Sequence, residues 1–516
     1  MDPEGRDDAP AGAGISADGA TPWVYDARRQ SGPVPPLYAD TLGRWTLAAH
    51  DAARGLSAPT SRGCLWQGYW YVAEGAAPAG TRRAQPLEER WQGEWRPALA
   101  AWLPPWAEWR VAGRTGVELA SLLAQADDEG PRLLRVAEEI RVAASDALDT
   151  FHEQYRPWLT LAQGRALAPL PSTRLTVSDA PANHETTRAL WQLKQAVEAS
   201  GEDTAWLREA ILDASPGNLH DTRAAHPAGA VWLAQWDRFL DYHGRRCDEA
   251  GGMGPSWIED ASVPLRLLQA YLDEVRHPPS EPWREVQVAR DAEAAAAEDR
   301  MPAGVPFRAD LARARLAHEL LSHRVDDIYQ QVSYRLRRIV AAVGAWLVGQ
   351  GVLGDQRDVL YLTRAECLAA LDARRAAPPS LDALVRQRHA DLARAERCPP
   401  GAGASDPALA AWQGTAGAPG QVRGPVRVVQ TLREAAAAHP GEIVVARRVT
   451  STWAPGLPLV AGLVMEGGDR HASGVLTAAE FGVPAVVGVP GATRALHAGD
   501  WIELDGRSAT VRRLDG

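Results

Sequence analysis

The strongest pattern runs from about residue 115 to 395, where apolar residues recur every three or four positions. GVELASLLAQADDEGPRLLRVAEEIRVAASDALDTFHEQY, HETTRALWQLKQAVEAS, AVWLAQWDRFLDYHG and the run from 308 to 350 all carry it. That period marks one face of an α-helix, and proline-bearing breaks such as RHPPSEPW and ALAPLPST separate the helices. The rhythm changes after PPGAGASDPALAAWQGTAGAPG. GPVRVV, EIVVARR, LVAGLVM, PAVVGV, DWIELDG and SATVRRL are short β-branched runs broken by Gly and Pro, with helical pieces such as LREAAAAH between them. The fold class expected is therefore multidomain: a large, mainly α-helical domain over 23–398, a Gly/Ala/Pro linker over 399–418, and a small α/β domain over 419–516. Residues 1–22, rich in Gly, Ala, Asp and Pro, read as a disordered tail.

Residues 23–110 hold nine of the twenty tryptophans. Trp102, Trp106 and Trp109 are spaced like a helical stripe that Pro104 and Pro105 interrupt. An irregular apolar core and an aromatic wall for a flat ligand both fit this composition.

Charge and composition narrow the function. The net charge is −10 with no Lys/Arg block, which argues against nucleic acid as a partner. Lys194 is the only lysine, so no Walker-type phosphate loop is present and no nucleotide domain is expected in this chain. Cys64, Cys247, Cys367 and Cys398 form no CxxC pair and read as reduced thiols. The sequence shows no signal peptide and no run long enough to span a bilayer, so the expected location is cytoplasmic, with no membrane partner. No zinc spacing, HExxH, calcium loop or nucleophile elbow occurs, and no metal is expected.

GGDRHASGVLTAAEFGVPAVVG, residues 467–488, is the stretch richest in chemistry. Gly467 and Gly468 permit close backbone approach ahead of a helix start, which is a natural anion site. A neutral imidazole there, at His471, is a nucleophile towards phosphorus. The plain alternative is a structural or solvated histidine in a glycine turn.

Residues 419–516 resemble the swivelling phosphohistidine domain of the phosphoenolpyruvate-utilising enzymes. GQVRGPVRVV, EIVVARRVTSTWAPGLPLVAGLVMEGG, AAEFGVPAVVGVPGATRALHAGDWIELDG and SATVRRL carry that resemblance. GRWTLAAHDAARGLSAPTSRG, WDRFLDYHGRRCDEAGGMGPSWIED and GAWLVGQGVLGDQRDVLYLTRAE resemble the substrate domain of the rifampin phosphotransferase type. The resemblance implies a phosphoryl group carried on histidine from ATP and Mg, held by a separate ATP-grasp partner, to an oxygen of a small organic molecule, which the tryptophan-rich composition suggests is aromatic or apolar. No cofactor is then expected on this chain alone.

The family pattern places its catalytic histidine five residues after the first glycine and eleven before the proline. Here His471 comes one residue early from the glycines, and counting back from Gly482 and Pro484 lands on Ser473. The family arginine before Glu480 is Ala479. A shift of two positions at a helix start turns a side chain by about half a turn. Two readings stay open: His471 still reaches the helix mouth, or phosphohistidine chemistry is lost and the fold serves a dehydration, condensation or cyclisation, or binding alone. Ser473 is the candidate replacement acceptor. Arg246 and Glu249 match the family's Gly-x-Arg-x-x-Glu and could grip phosphate or carboxylate, or form a buried ion pair. Trp257 and Arg335 complete the candidate substrate set, and His243 is a candidate base.

Overall fold

The structure is a computed structural model that describes residues 24–26, 32–55, 61–73, 86–107, 111, 113–162, 173–179, 181–221, 226–247, 253–372, 381–397 and 411–514. The expected tail, most of the expected linker and Glu249 lie outside these residues. The chain divides into two compact units. One comprises Met1–Val142, Ala250–Met253 and Gln331–Gly403; the other comprises Ala143–Glu249, Gly254–Gln330 and Ala404–Gly516. The helical region is thus shared between two units, and its middle part groups with the C-terminal α/β segment.

The first unit is helical with a small antiparallel sheet, order β1-β3-β2, made of Val24–Tyr25 (β1), Arg62–Trp66 (β2) and Tyr69–Ala73 (β3). Trp45, Trp70 and Trp95 are buried core residues, whereas Trp102 is 43% exposed. A Cβ at Gly63 would meet the Trp70 ring at 2.1 Å, so the β-hairpin closes on that indole only because position 63 has no side chain. The helix Arg96–Ala107 continues through Pro104 and Pro105, where the sequence predicted an interruption. Both prolines lie in its C-terminal half. Trp109 lies outside the described residues.

The second unit joins helices that include His184–Glu198, Thr204–Leu212, Pro227–His243, Ser262–Asp273, Ser280–Glu298 and Phe307–Glu319 to an eight-stranded sheet. Its order is β4-β11-β10-β6-β7-β8-β9-β5. Gln421–Val429 (β6), Ile443–Ala446 (β7), Gly462–Met465 (β8) and Ala485–Val487 (β9) pair in parallel, flanked by antiparallel Trp501–Asp505 (β10) and Thr510–Arg513 (β11). Ala411–Gln413 (β4) and Thr415–Ala416 (β5), predicted as linker, are the two edge strands. Two- and three-residue strands carry too little alternation to be read against an Ala/Gly background.

The continuous apolar run of β7 has a simple cause, since strand residues alternate between faces. Ile443 and Val445 join a core with Val464, Val486, Ile502 and Leu504. Val444 and Ala446 face the opposite way, into a core shared with Val475, Ala478, Leu190, Trp232, Trp236 and Leu268. The α/β part and its helical neighbours thus bury one common apolar cluster.

Candidate functional site

Beyond the carboxyl end of β8 the chain runs Glu466, Gly467, Gly468, Asp469, Arg470, His471, Ala472 and enters the helix Ser473–Phe481. The carboxyl end of parallel strands is where α/β sheets build ligand sites. Gly468 has φ +101, and a Cβ there would meet Ala472 and Val487, so this turn requires glycine. Asp469 closes the loop: its Oδ1 accepts from His471 N–H at 2.9 Å and its carbonyl accepts from Ala472 N–H. His471 therefore sits two residues before the first helical residue, which is Ser473.

His471 points at the long helix Gly116–Ala162. Its Nε2 lies 3.1 Å from Asp149 Oδ1, and Arg470 also contacts that carboxylate. Burial alone would raise the Asp149 pKa, but His471 and Arg470 outweigh it and hold the carboxyl below its ordinary value. One turn further along the helix is His152, only 5% exposed. Burial, with Arg470 and His471 close by, pushes its pKa down to about 3.

Ser473 belongs to a second carboxylate. Its Oγ donates to Asp326 Oδ2 at 2.6 Å, and the same oxygen accepts from Ser451 N–H and Ser451 Oγ at 3.1 and 2.8 Å. Gly474 lets this helix start press on the Ser451 loop, because a Cβ there would lie 2.3 Å from the Val449 carbonyl. Asp326 and Asp327 stand in the first turn of the helix Val325–Gly349, where carboxylates complement the helix dipole.

Arg246 belongs to a separate cluster. Its Nη1 is 3.3 Å from His243 Nδ1, and Thr186 Oγ1 lies 3.1 Å from the same nitrogen. Burial lowers the Arg246 pKa, opposed by Asp327, Glu185 and Tyr242. Burial, then Arg246, pushes His243 down to about 3. Gln330 ties this loop to the helix by accepting from Cys247 N–H and donating to Cys247 O, both at 2.9 Å. Trp257 is 1% exposed in the shared core, with its indole N–H unpaired among the described residues. Arg335 is a buried, partnered residue of the other unit.

The structure thus brings together Gly467, Gly468, His471 and Ser473, and adds Asp149, His152, Asp326 and Ser451. Sequence reasoning missed those four. Only the Asp326–Asp327 pair at a helix start carries a local signal, since the others belong to ordinary amphipathic or loop sequence. Glu480, at the far end of the same helix, is wholly buried, accepts from Asn183 Nδ2 at 2.9 Å and lies 3.4 Å from His318 Nε2. Burial opposes its ionisation, but His318, Ser322 and His184 bring its pKa below the ordinary value. It anchors the helix rather than facing the mouth. Among the described residues no group of His, Cys, Asp and Glu could hold a metal ion, and no helix is long and apolar enough to cross a membrane. Among the described residues, Cys64, Cys247 and Cys367 form no disulfide with one another.

Residues 438–509 match the mobile domain of PEP-utilising enzymes, and residues 172–326 match the rifampicin phosphotransferase fourth domain. Both matches fall almost wholly in the unit that carries the site. Over these two stretches the chain is similar to PEP-utilising enzymes. A rifampicin phosphotransferase from a Streptomyces species is 29% identical over 79% of this chain and 48% of that protein. The prodigiosin-synthesising transferase of Serratia marcescens is 28% identical over 56% of this chain and 35% of its own length. The chondramide synthase of Chondromyces crocatus is 27% identical over 64% of this chain and 9% of that protein. The chain spans less than half the length of each of these relatives.

Proposed function

We propose that this chain handles the phosphoryl group in a small-molecule phosphotransferase, with His471 as carrier. The observation that supports this is the pairing of His471 Nε2 with Asp149 at the mouth of the Ser473–Phe481 helix. A carboxylate beside Nε2 favours the proton on that nitrogen and leaves Nδ1 as the nucleophile. That nitrogen attacks phosphorus, the bond to the leaving oxygen breaks, and the helix N-terminus and Arg470 offset the charge on the phosphoryl oxygens. An oxygen of a small molecule then displaces the imidazole. In this reading ATP and Mg reside on a separate ATP-grasp partner.

A second reading has its own support. Ser473 occupies the slot that the family spacing gives to histidine, with its hydroxyl on Asp326, and two relatives are named for secondary-metabolite synthesis. The site would then assist a condensation, dehydration or cyclisation with no phosphohistidine. Intact mass at neutral and acidic pH separates the two. An acid-labile phosphoryl group present in the native protein and absent from His471→Ala supports the carrier. An acid-stable phosphoryl group lost in Ser473→Ala moves the acceptor to Ser473, and no phosphoryl on either sinks both phosphocarrier versions in favour of the repurposed site.

A further inference from the structure

We propose that His152 is a hydroxyl-binding residue of the site at residues 469–473 and accepts the proton of an alcohol or phenol held there. Its place beside His471 ties it to the site proposed above. Three observations carry it. The imidazole is 5% exposed, yet neither Nδ1 nor Nε2 has a hydrogen-bond partner among the described residues. Leaving a buried polar atom unmet costs about 1–3 kcal/mol, so a buried ring with both nitrogens unmet calls for a partner atom. His152 also lies three residues after Asp149 on one helix, and side chains at that spacing are neighbours about 5–6 Å apart at Cβ. Asp149 is the residue that touches both Arg470 and His471.

The surroundings select the ligand class. A neutral imidazole offers one donor and one acceptor, and a hydroxyl offers the complement. The wall beside it is apolar and aromatic: the Phe151 ring is 5.9 Å from His152 and stacks on Phe307, and Tyr155 packs against both. A carboxylate ligand is disfavoured there by Asp149. Burial first, then Arg470, keeps His152 unprotonated at rest. A phosphoryl group on His471 would bring about −1.5 to −2 charges beside it and reverse that preference. The acceptor oxygen then bonds to phosphorus, the phosphorus–nitrogen bond breaks with its electron pair returning to the His471 ring, and the hydroxyl proton passes to His152.

The test uses full-length protein with labelled histidines and phenol as probe, followed by NMR, with His152→Gln assigning the signal. The expected result is a saturable shift of the His152 signal, retained in His471→Ala. A His152 signal that ignores phenol overturns the proposal. Protein phosphorylated with phosphoramidate is expected to load equally in wild type and His152→Gln, and to pass its phosphoryl to phenol about 100-fold more slowly in the variant. An unchanged transfer rate also overturns it. If wild type takes up no phosphoryl, the carrier reading fails while the phenol titration in His471→Ala still decides the role of His152.

Discussion

At Asp326 three donors converge on one carboxylate oxygen, two from Ser451 and one from Ser473. Ser473→Ala removes one charge-assisted bond and is expected to cost about 1.5–3 kcal/mol in urea denaturation. If Ser473 only anchors the helix start, the same variant still gains an acid-labile phosphoryl at His471. Gly467, Gly468 and His471 were legible in the sequence because backbone freedom, a helix start and a nucleophile sit within seven residues. Their carboxylate partners were not: Arg470 meets Asp149 across 321 residues, and Ser473 meets Asp326 across 147. No local period encodes a contact at that separation.

The helix Ser473–Phe481 owes its position to glycines at both ends. Gly482 closes it in the left-handed conformation at φ 70, and a Cβ there would lie 2.9 Å from Val286. Gly482→Ala is expected to lower stability by about 1 kcal/mol or more, read as a fall in denaturation midpoint. Gly474→Ala places a methyl against the Val449 carbonyl and is expected to cost about 1–3 kcal/mol, with the larger effect on any chemistry at residues 469–473. The principal helices and the strands β6 to β11 were readable because each carries a strong period or a β-branched run. The edge strands β4 and β5 were not, because composition there resembles a spacer. Pro104 and Pro105 misled in the other direction, because the helix Arg96–Ala107 accommodates them in its C-terminal half.

Across the whole molecule, stability is expected to depend on acid through histidines that folding holds neutral. Burial first, then neighbouring cationic groups, pushes His152 and His243 down to about 3, and burial, opposed by Glu480, brings His184 to about 4. The unfolded chain binds these protons near pH 6.5, so the folded state carries fewer of them between pH 6.5 and about 3–4. Their contribution is complete above pH 6.5 and is lost as pH falls through that window, at about 1.4 kcal/mol per pH unit for each group. Denaturation midpoints measured from pH 7 to pH 5 are expected to fall, and His184→Phe to fall less steeply. An unchanged midpoint across that range would contradict the burial of these rings.

The common apolar cluster beneath the sheet has a kinetic consequence. Val444, Leu457 and Val475 from the C-terminal part interleave with Trp232, Trp236 and Leu268, and Tyr271 Oη donates to Pro455 O at 2.7 Å across the same seam. A carrier that shuttles between two stations must undock, and undocking here wets a hydrophobic seam and strips several polar latches. If the C-terminal part moves as the proposed carrier would, its dwell time is set by opening of this seam, and the relay runs no faster than that gate.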